Sequence, residues 1–92
     1  MITKNCTIKN KLGLHIRAAS KLVDTASRFT SKITLIHPQD AKRFADAKSI
    51  MSLMLLSATQ GTELMLKADG NDADMAINSV HTLIHNRFGE SE

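Results

Sequence analysis

The hydrophobic residues of this chain recur with two different periods, and segments with the two periods alternate along the sequence. A two-residue period is typical of a strand with one covered face, and steps of three or four residues are typical of an amphipathic helix. Ile2, Cys6 and Ile8 share the strand period, and residues 16–29 then follow the helical period. Because each apolar face needs a partner to cover it, we expect helices packed against a sheet.

Two more strands and a short helix are predicted in the middle of the chain. Residues 33–36 are rich in β-branched side chains and precede a turn-like stretch around Pro38, so a hairpin with a third strand near residues 41–45 is expected. Ser49 then precedes an apolar stretch, residues 50–56. Serine is a favoured helix N-cap, because its side-chain oxygen accepts a backbone N–H group two or three residues later. This stretch therefore predicts a second helix.

A fourth strand and a last helix complete the pattern. In residues 62–68 apolar and polar side chains alternate between two turn signals, which is typical of a half-buried strand. Residues 72–87 begin with two aspartates, which favours a helix N-terminus there. The apolar stripe of this helix consists of Ala73, Ala76, Ile77, Val80 and Ile84. The order βαββαβα predicts the α+β class and leaves several ferredoxin-like strand orders open.

Length and composition limit the functions that the chain can have. With 92 residues it is expected to form one domain, residues 1–92, that buries roughly 60–65% of its unfolded surface. The net charge of +3 is spread along the chain and Trp and Tyr are absent, which argues against nucleic-acid binding. No segment approaches the roughly eighteen uninterrupted apolar residues of a membrane span, and one cysteine cannot form an internal disulfide. We expect a cytoplasmic protein without membrane insertion.

The junction between the first strand and the first helix is the strongest candidate for chemistry. Residues 13–19 place His15 and Arg17 where the helical period begins. A helix start has unpaired N–H groups and about half a positive charge, so it favours a bound anion and disfavours a protonated imidazole. A neutral histidine is a nucleophile, and an arginine offers paired donors to phosphate-like oxygens. The pair therefore predicts a phosphoryl group held on a ring nitrogen.

Two segments of the chain resemble a known family. Residues 10–19, with the sequence NKLGLHIRAA, resemble the active-site segment of the HPr family, the histidine-containing phosphocarriers of the bacterial phosphoenolpyruvate-dependent phosphotransferase system. Residues 48–56, KSIMSLMLL, resemble the regulatory serine of that family and its short second helix. The resemblance implies an open-faced β-sandwich of four antiparallel strands with three helices on one face.

The resemblance also implies a function and its partners. The ring Nδ1 atom of His15 would accept a phosphoryl group from phospho-Enzyme I and pass it to IIA proteins, with Arg17 balancing the phosphate charge. Such a chain is a covalent carrier rather than a stand-alone enzyme, and the reaction needs no cofactor and no metal. We expect a monomer that contacts other proteins of the system. Whether it serves sugar uptake or a regulatory branch stays open.

The second segment predicts a regulatory site and a docking surface. Ser49 has two compatible roles, as a helix cap and, by resemblance, as a phosphorylation site for an HPr kinase/phosphorylase. A short helix with apolar residues on most sides cannot bury all of them. Ile50, Met51 and Met54 are therefore expected to contribute to an exposed partner-docking surface beside His15.

Two other classes of function remain as alternatives. The chain could be a purely regulatory binding module whose partners depend on the state of Ser49, or a small basic or metal-binding protein. His81 and His85 lie four residues apart on the last predicted helix and could both reach one metal ion. No Cys or acidic set supplies further ligands at a recognisable spacing, so no metal site is expected. Only the phosphocarrier requires His15 and Arg17 together.

Overall fold

The computed structural model describes residues 1–92 and confirms the predicted order of elements. The elements are β1 (Ile2–Thr7), α1 (Ile16–Ala26), β2 (Lys32–His37), β3 (Asp40–Asp46), α2 (Ile50–Leu56), β4 (Glu63–Asp69) and α3 (Ala73–His85), with a short 3-10 turn at Arg87–Gly89. This is the α+β class in the order βαββαβα. No helix combines the length and apolar character that crossing a membrane requires.

The four strands form one antiparallel sheet in the order β1-β4-β2-β3. This finding selects one arrangement from those that the sequence left open, and it is the open-faced sandwich that the resemblance implied. In β4 the side chains of Leu64, Leu66 and Ala68 are buried under the helices, as the alternation predicted. The helices α1, α2 and α3 cover this face, with α3 packed on β1 and β4 and α2 packed beside β3.

The helical faces are close to those predicted. All five residues of the predicted stripe of α3 are buried. Of the apolar positions predicted for α1, Ala19, Leu22 and Ala26 are fully buried and Val23 is partly buried. The first helix is shorter than the predicted 16–29, because the backbone N–H groups of Arg28 and Phe29 bond to carbonyls only three residues back. Such tightened bonds are common in the last turn of a helix. Cys6 is a core residue, and burial raises the pKa of its thiol to about 11.

The loop between β1 and α1 is held against the segment that follows α2. The N–H group of Leu14 donates to the carbonyl oxygen of Ala58 at 2.8 Å. Gly13 has a φ of +66°, and a Cβ atom added to it would lie 2.6 Å from that same carbonyl oxygen. A side chain at position 13 would therefore be strained and would also push the two segments apart. This close approach fixes the position of the loop directly before His15.

The start of α3 is joined to the segment between α1 and β2 through Asp72. Its carboxylate accepts hydrogen bonds from the backbone N–H groups of Thr30 and Ser31, both at 2.9 Å, and from the Ser31 hydroxyl. The hydrogen bond from the Ser31 side chain, followed by that from the Thr30 backbone, lowers the pKa of Asp72 from 3.8 to about 2. The ionised carboxylate is therefore favoured in the folded state.

We predict that replacing Gly13 by alanine destabilises the fold more than the same change at Gly61. Both glycines have positive φ, so each substitution should cost roughly 1–2 kcal/mol from backbone strain. At Gly61 nothing lies within 4 Å of an added Cβ, whereas at Gly13 the clash with the Ala58 carbonyl should raise the total to about 3 kcal/mol. Urea unfolding of both variants measures the difference. Equal losses would contradict the close approach at Gly13.

Acid should weaken the contribution of Asp72 to stability. Because its pKa is lower in the folded than in the unfolded chain, its contribution is fully present above pH 3.8 and is lost as the pH falls through about 2. The free energies of unfolding of wild type and Asp72→Asn, measured over this range, should therefore converge with falling pH. If the difference in free energy of unfolding between wild type and Asp72→Asn stays constant over this pH range, these hydrogen bonds do not favour the ionised carboxylate of Asp72.

Candidate functional site

His15 lies directly before the first turn of α1. It is the N-cap residue, with an extended backbone (φ −77°, ψ 175°), and its carbonyl oxygen accepts the first helical hydrogen bond from Ala19 at 2.8 Å. Its side chain caps no backbone N–H group of the helix, and 22% of it is exposed. The imidazole is thus held at a helix N-terminus without being used by the helix.

The N-terminus of α1 offers unpaired hydrogen-bond donors beside this ring. The backbone N–H groups of Ile16, Arg17 and Ala18 donate to no acceptor in the protein. The Arg17 side chain is exposed and makes no hydrogen bond or ion pair. Unpaired amides, the positive end of the helix dipole and a free guanidinium together favour an anion at this place.

The ring of His15 has a partner that the sequence reasoning missed. Its Nε2 atom lies 2.5 Å from Oε2 of Glu90, whose side chain is only 14% exposed. Partial burial raises the pKa of the Glu90 carboxyl, but the hydrogen bonds from His15 and Asn10 and the charges of His15 and Arg17 outweigh it, so the pKa is lowered. An ionised carboxylate only accepts hydrogen bonds, so Nε2 carries the hydrogen and Nδ1 of a neutral ring keeps its lone pair.

Glu90 is in turn held by a buried amide. Asn10 is fully buried, and its Nδ2 atom donates to the Gly13 carbonyl oxygen at 2.7 Å and to Oε1 of Glu90 at 3.0 Å. The sequence reasoning did not predict this arrangement, because Glu90 lies 75 positions after His15 in a polar segment typical of a loose end. The buried aromatic Phe88, two residues earlier, is the one signal that this end is packed.

Ser49 caps α2, as the sequence predicted. Its side-chain oxygen accepts the backbone N–H group of Ser52 at 3.2 Å, and its own backbone is extended. The hydroxyl is half-buried at the start of the helix. Its use as a phosphorylation site stays a prediction.

The predicted docking residues lie on the surface. Ile50 and Met54 are each 38% exposed and Met51 is 73% exposed, whereas Leu53 and Leu56 of the same helix are buried. Six other large apolar side chains are exposed, and three of them lie on α2 or in the segment around His15. These are Leu12, Ile16 and Leu55. Leu12 and Ile16 lie on either side of His15 in the chain. The sequence signal that could have identified Leu12 is an apolar residue between the charged Lys11 and the turn at Gly13.

The two histidines of the last helix do not meet further ligands. The rings of His81 and His85 stack with their centroids 6.2 Å apart. Burial, followed by the charges of Lys4 and His85, lowers the pKa of His81. No group of three or more His, Cys, Asp or Glu side chains lies close enough together to hold a metal ion.

Comparison with known proteins matches nearly the whole chain. A family model described as the PTS HPr component phosphorylation site matches residues 2–86. The chain is 46% identical over 90 residues to the phosphocarrier protein HPr of Xylella fastidiosa, covering 98% of both chains. It is 41% identical over 85 residues, 92% of its length, to 17% of a multiphosphoryl transfer protein of Haemophilus influenzae.

A solved structure agrees in fold over the full length. The crystal structure of HPr-C-His from Thermoanaerobacter tengcongensis has a TM-score of 0.91 and 40% sequence identity, with 100% of both chains covered. Sequence and fold thus agree on the relationship that residues 10–19 and 48–56 indicated. The chain belongs to the HPr family, the phosphocarrier proteins of the phosphotransferase system.

Proposed function

We propose that this chain carries a phosphoryl group on Nδ1 of His15, accepting it from phospho-Enzyme I and passing it to IIA proteins. The observation that carries the proposal is the position of His15 beside three unpaired backbone N–H groups and the free guanidinium of Arg17. A phosphoryl group on this ring would have donors within the same turn of chain. The matched multiphosphoryl transfer protein supports partners that exchange phosphoryl groups, since it contains a similar segment within a longer chain.

The same arrangement suits a carrier better than a hydrolase. The N–P bond must survive until the next protein arrives, so its charge has to be balanced without a group that activates water. Backbone amides and a guanidinium only donate hydrogen bonds, and neither is a general base for water. The chain would need no cofactor and no metal for this step, and its specificity would come from the surfaces that it meets.

We further propose that the exposed residues Ile50, Met51 and Met54 form part of the surface on which Enzyme I and IIA proteins dock. The segment after α2 bonds to the loop before His15, which supports a position of this helix near the ring. Apolar side chains that are exposed on a free chain gain most when a partner covers them. In this proposal residues 1–92 act as one monomeric domain in the cytoplasm.

Ser49 is proposed as a regulatory site for an HPr kinase/phosphorylase. A phosphate there would sit at the N-terminus of α2 and directly before Ile50 and Met51. About two added negative charges at this place oppose the docking of an acidic partner surface without requiring the helix to unfold.

The acceptor is tested by incubating the protein with phosphoenolpyruvate and Enzyme I and measuring its intact mass. Wild type should gain one phosphoryl group that is labile in acid and stable in base, and His15→Ala should gain none. The fold of His15→Ala, followed by thermal unfolding, should be intact because this N-cap ring is partly exposed and belongs to no apolar core. His85→Ala, an exposed histidine on α3, is the matched control and should be phosphorylated normally. Phosphorylation of a folded His15→Ala variant would refute the assignment.

Ser49→Asp should weaken binding to Enzyme I and leave the fold unchanged. Aspartate caps a helix as well as serine does, so the melting temperature should stay the same or rise, while Ser49→Ala should lose about 1 kcal/mol of stability. Affinity for Enzyme I should show the opposite pattern. Ser49→Asp should bind more weakly than wild type at low salt, with a smaller difference at high salt, and Ser49→Ala should bind as wild type does. Equal affinities of wild type and Ser49→Asp at low salt would place the docking surface elsewhere.

A further inference from the structure

The segment after α3 turns back toward His15 through three consecutive residues with left-handed backbone. Arg87 and Phe88 have φ of 58° and 55°, and Gly89 has φ of 78°. Residues other than glycine disfavour this conformation, and such strain persists only where the surroundings compensate for it. Here the Phe88 side chain is buried, and the Lys21 ammonium donates to the Phe88 carbonyl oxygen at 2.7 Å. The return of the chain is thus anchored directly before Glu90.

The orientation of the Glu90 carboxylate is set from the other side by Asn10. The Nδ2 group of Asn10 donates to the Gly13 carbonyl oxygen, which can only accept, so the amide cannot exchange its nitrogen and oxygen positions. Nδ2 therefore faces Oε1 of Glu90, and Oε2 is left for Nε2 of His15. In the three hydrogen bonds that lead from the Gly13 carbonyl to the imidazole, each atom therefore has a defined role as donor or acceptor.

We propose that Glu90 is a positioning residue for phosphoryl transfer, which holds the hydrogen of His15 on Nε2 and thereby keeps the lone pair on Nδ1. The inference rests on the proposed function of His15 and adds the group that sets the state of its ring. A carboxylate that orients an imidazole and stabilises its positive charge is a recurring device where histidine changes its bonding during a reaction.

The bonds that form and break during phosphoryl transfer show why the hydrogen of His15 has to stay on Nε2. The Nδ1 lone pair of His15 forms the new bond to phosphorus, while the bond from phosphorus to the donor atom of phospho-Enzyme I breaks and its electron pair stays on that donor atom. Nδ1 has no proton to lose, and the hydrogen on Nε2 stays between the ring and Glu90. The ring then carries a positive charge next to the carboxylate. In transfer to a IIA protein the electron pair of the N–P bond returns to Nδ1, so the ring leaves as neutral imidazole.

This role makes an unusual prediction for the most conservative substitution. In Glu90→Gln the amide oxygen should face Nδ2 of Asn10, because that group can only donate, and the new NH₂ group would then face Nε2 of His15. Nε2 would have to accept, which moves the ring hydrogen to Nδ1 and removes the lone pair that attacks phosphorus. In Glu90→Ala, water can bond to Nε2 as donor or acceptor, so the ring hydrogen is confined neither to Nε2 nor to Nδ1. Glutamine should therefore impair the reaction more than alanine.

The test combines the ring state with the rate of phosphorylation. The ¹⁵N shifts of the neutral His15 ring, measured without any partner protein, should show hydrogen on Nε2 in wild type and on Nδ1 in Glu90→Gln. Phosphorylation by phospho-Enzyme I should slow about tenfold or more in Glu90→Gln and less in Glu90→Ala. Glu92→Gln removes the same charge from the same segment but contacts Lys11 rather than His15, so it should match wild type in both measurements.

The outcomes separate this inference from the proposed function. A wild-type ring state and rate in Glu90→Gln would overturn the inference, and so would an equal slowing in Glu90→Gln and Glu92→Gln. If Glu90→Gln loses its fold in thermal unfolding, an unchanged ring state and rate in Glu90→Ala would overturn it instead. If wild type gains no phosphoryl group from Enzyme I, the proposed function fails, whereas the ¹⁵N spectra still decide whether Glu90 sets the ring state.

Discussion

The buried side chain of Asn10 joins the three segments on which the site depends. Its amide bonds to the turn at Gly13 and to Glu90 after the last helix, and Glu90 contacts the ring at the start of the first helix. Both hydrogen bonds of Nδ2 lie in the interior, where an unpaired donor is costly, whereas Oδ1 of the same amide makes no hydrogen bond. The imidazole is therefore positioned by Glu90, a residue distant in sequence, and by Asn10, which holds Glu90, rather than by the first helix alone.

His15 lies between groups of opposite charge, the positive start of α1 with Arg17 and the negative carboxylate of Glu90. The helix start and Arg17 present positive charge and free donors, which suit a phosphoryl group, while the carboxylate at Nε2 suits a ring that becomes positively charged when Nδ1 is bonded to phosphorus. A carrier must keep its group transferable in both directions. Neutral imidazole as the leaving group, from a ring whose positive charge the Glu90 carboxylate balances while phosphorus is bound, is consistent with that requirement.

Much of the fold follows from the sequence because the apolar periods report which faces are covered. The stripe of α3 and the alternation of β4 identified their buried residues correctly, and Ser49 identified the start of α2. The strand order did not follow, since alternation in a strand does not reveal its neighbours, and it came from the family resemblance and the structure. The predicted end of α1 was wrong because the apolar periodicity continues to Phe29, whereas the helical hydrogen bonds end at Ser27.

Only those residues of the candidate site that are close together in the sequence could be predicted from it. His15 and Arg17 are neighbours in a turn, so their chemistry is visible in the sequence, but the bond from Glu90 depends on how the chain returns after Phe88. The central claim is that phosphorus bonds to the ring nitrogen that Glu90 does not occupy. The one-bond ¹⁵N–³¹P coupling of the phosphorylated protein tests this most directly. We expect coupling to Nδ1 of His15 with hydrogen on Nε2, and coupling to Nε2 or to another histidine would contradict this assignment.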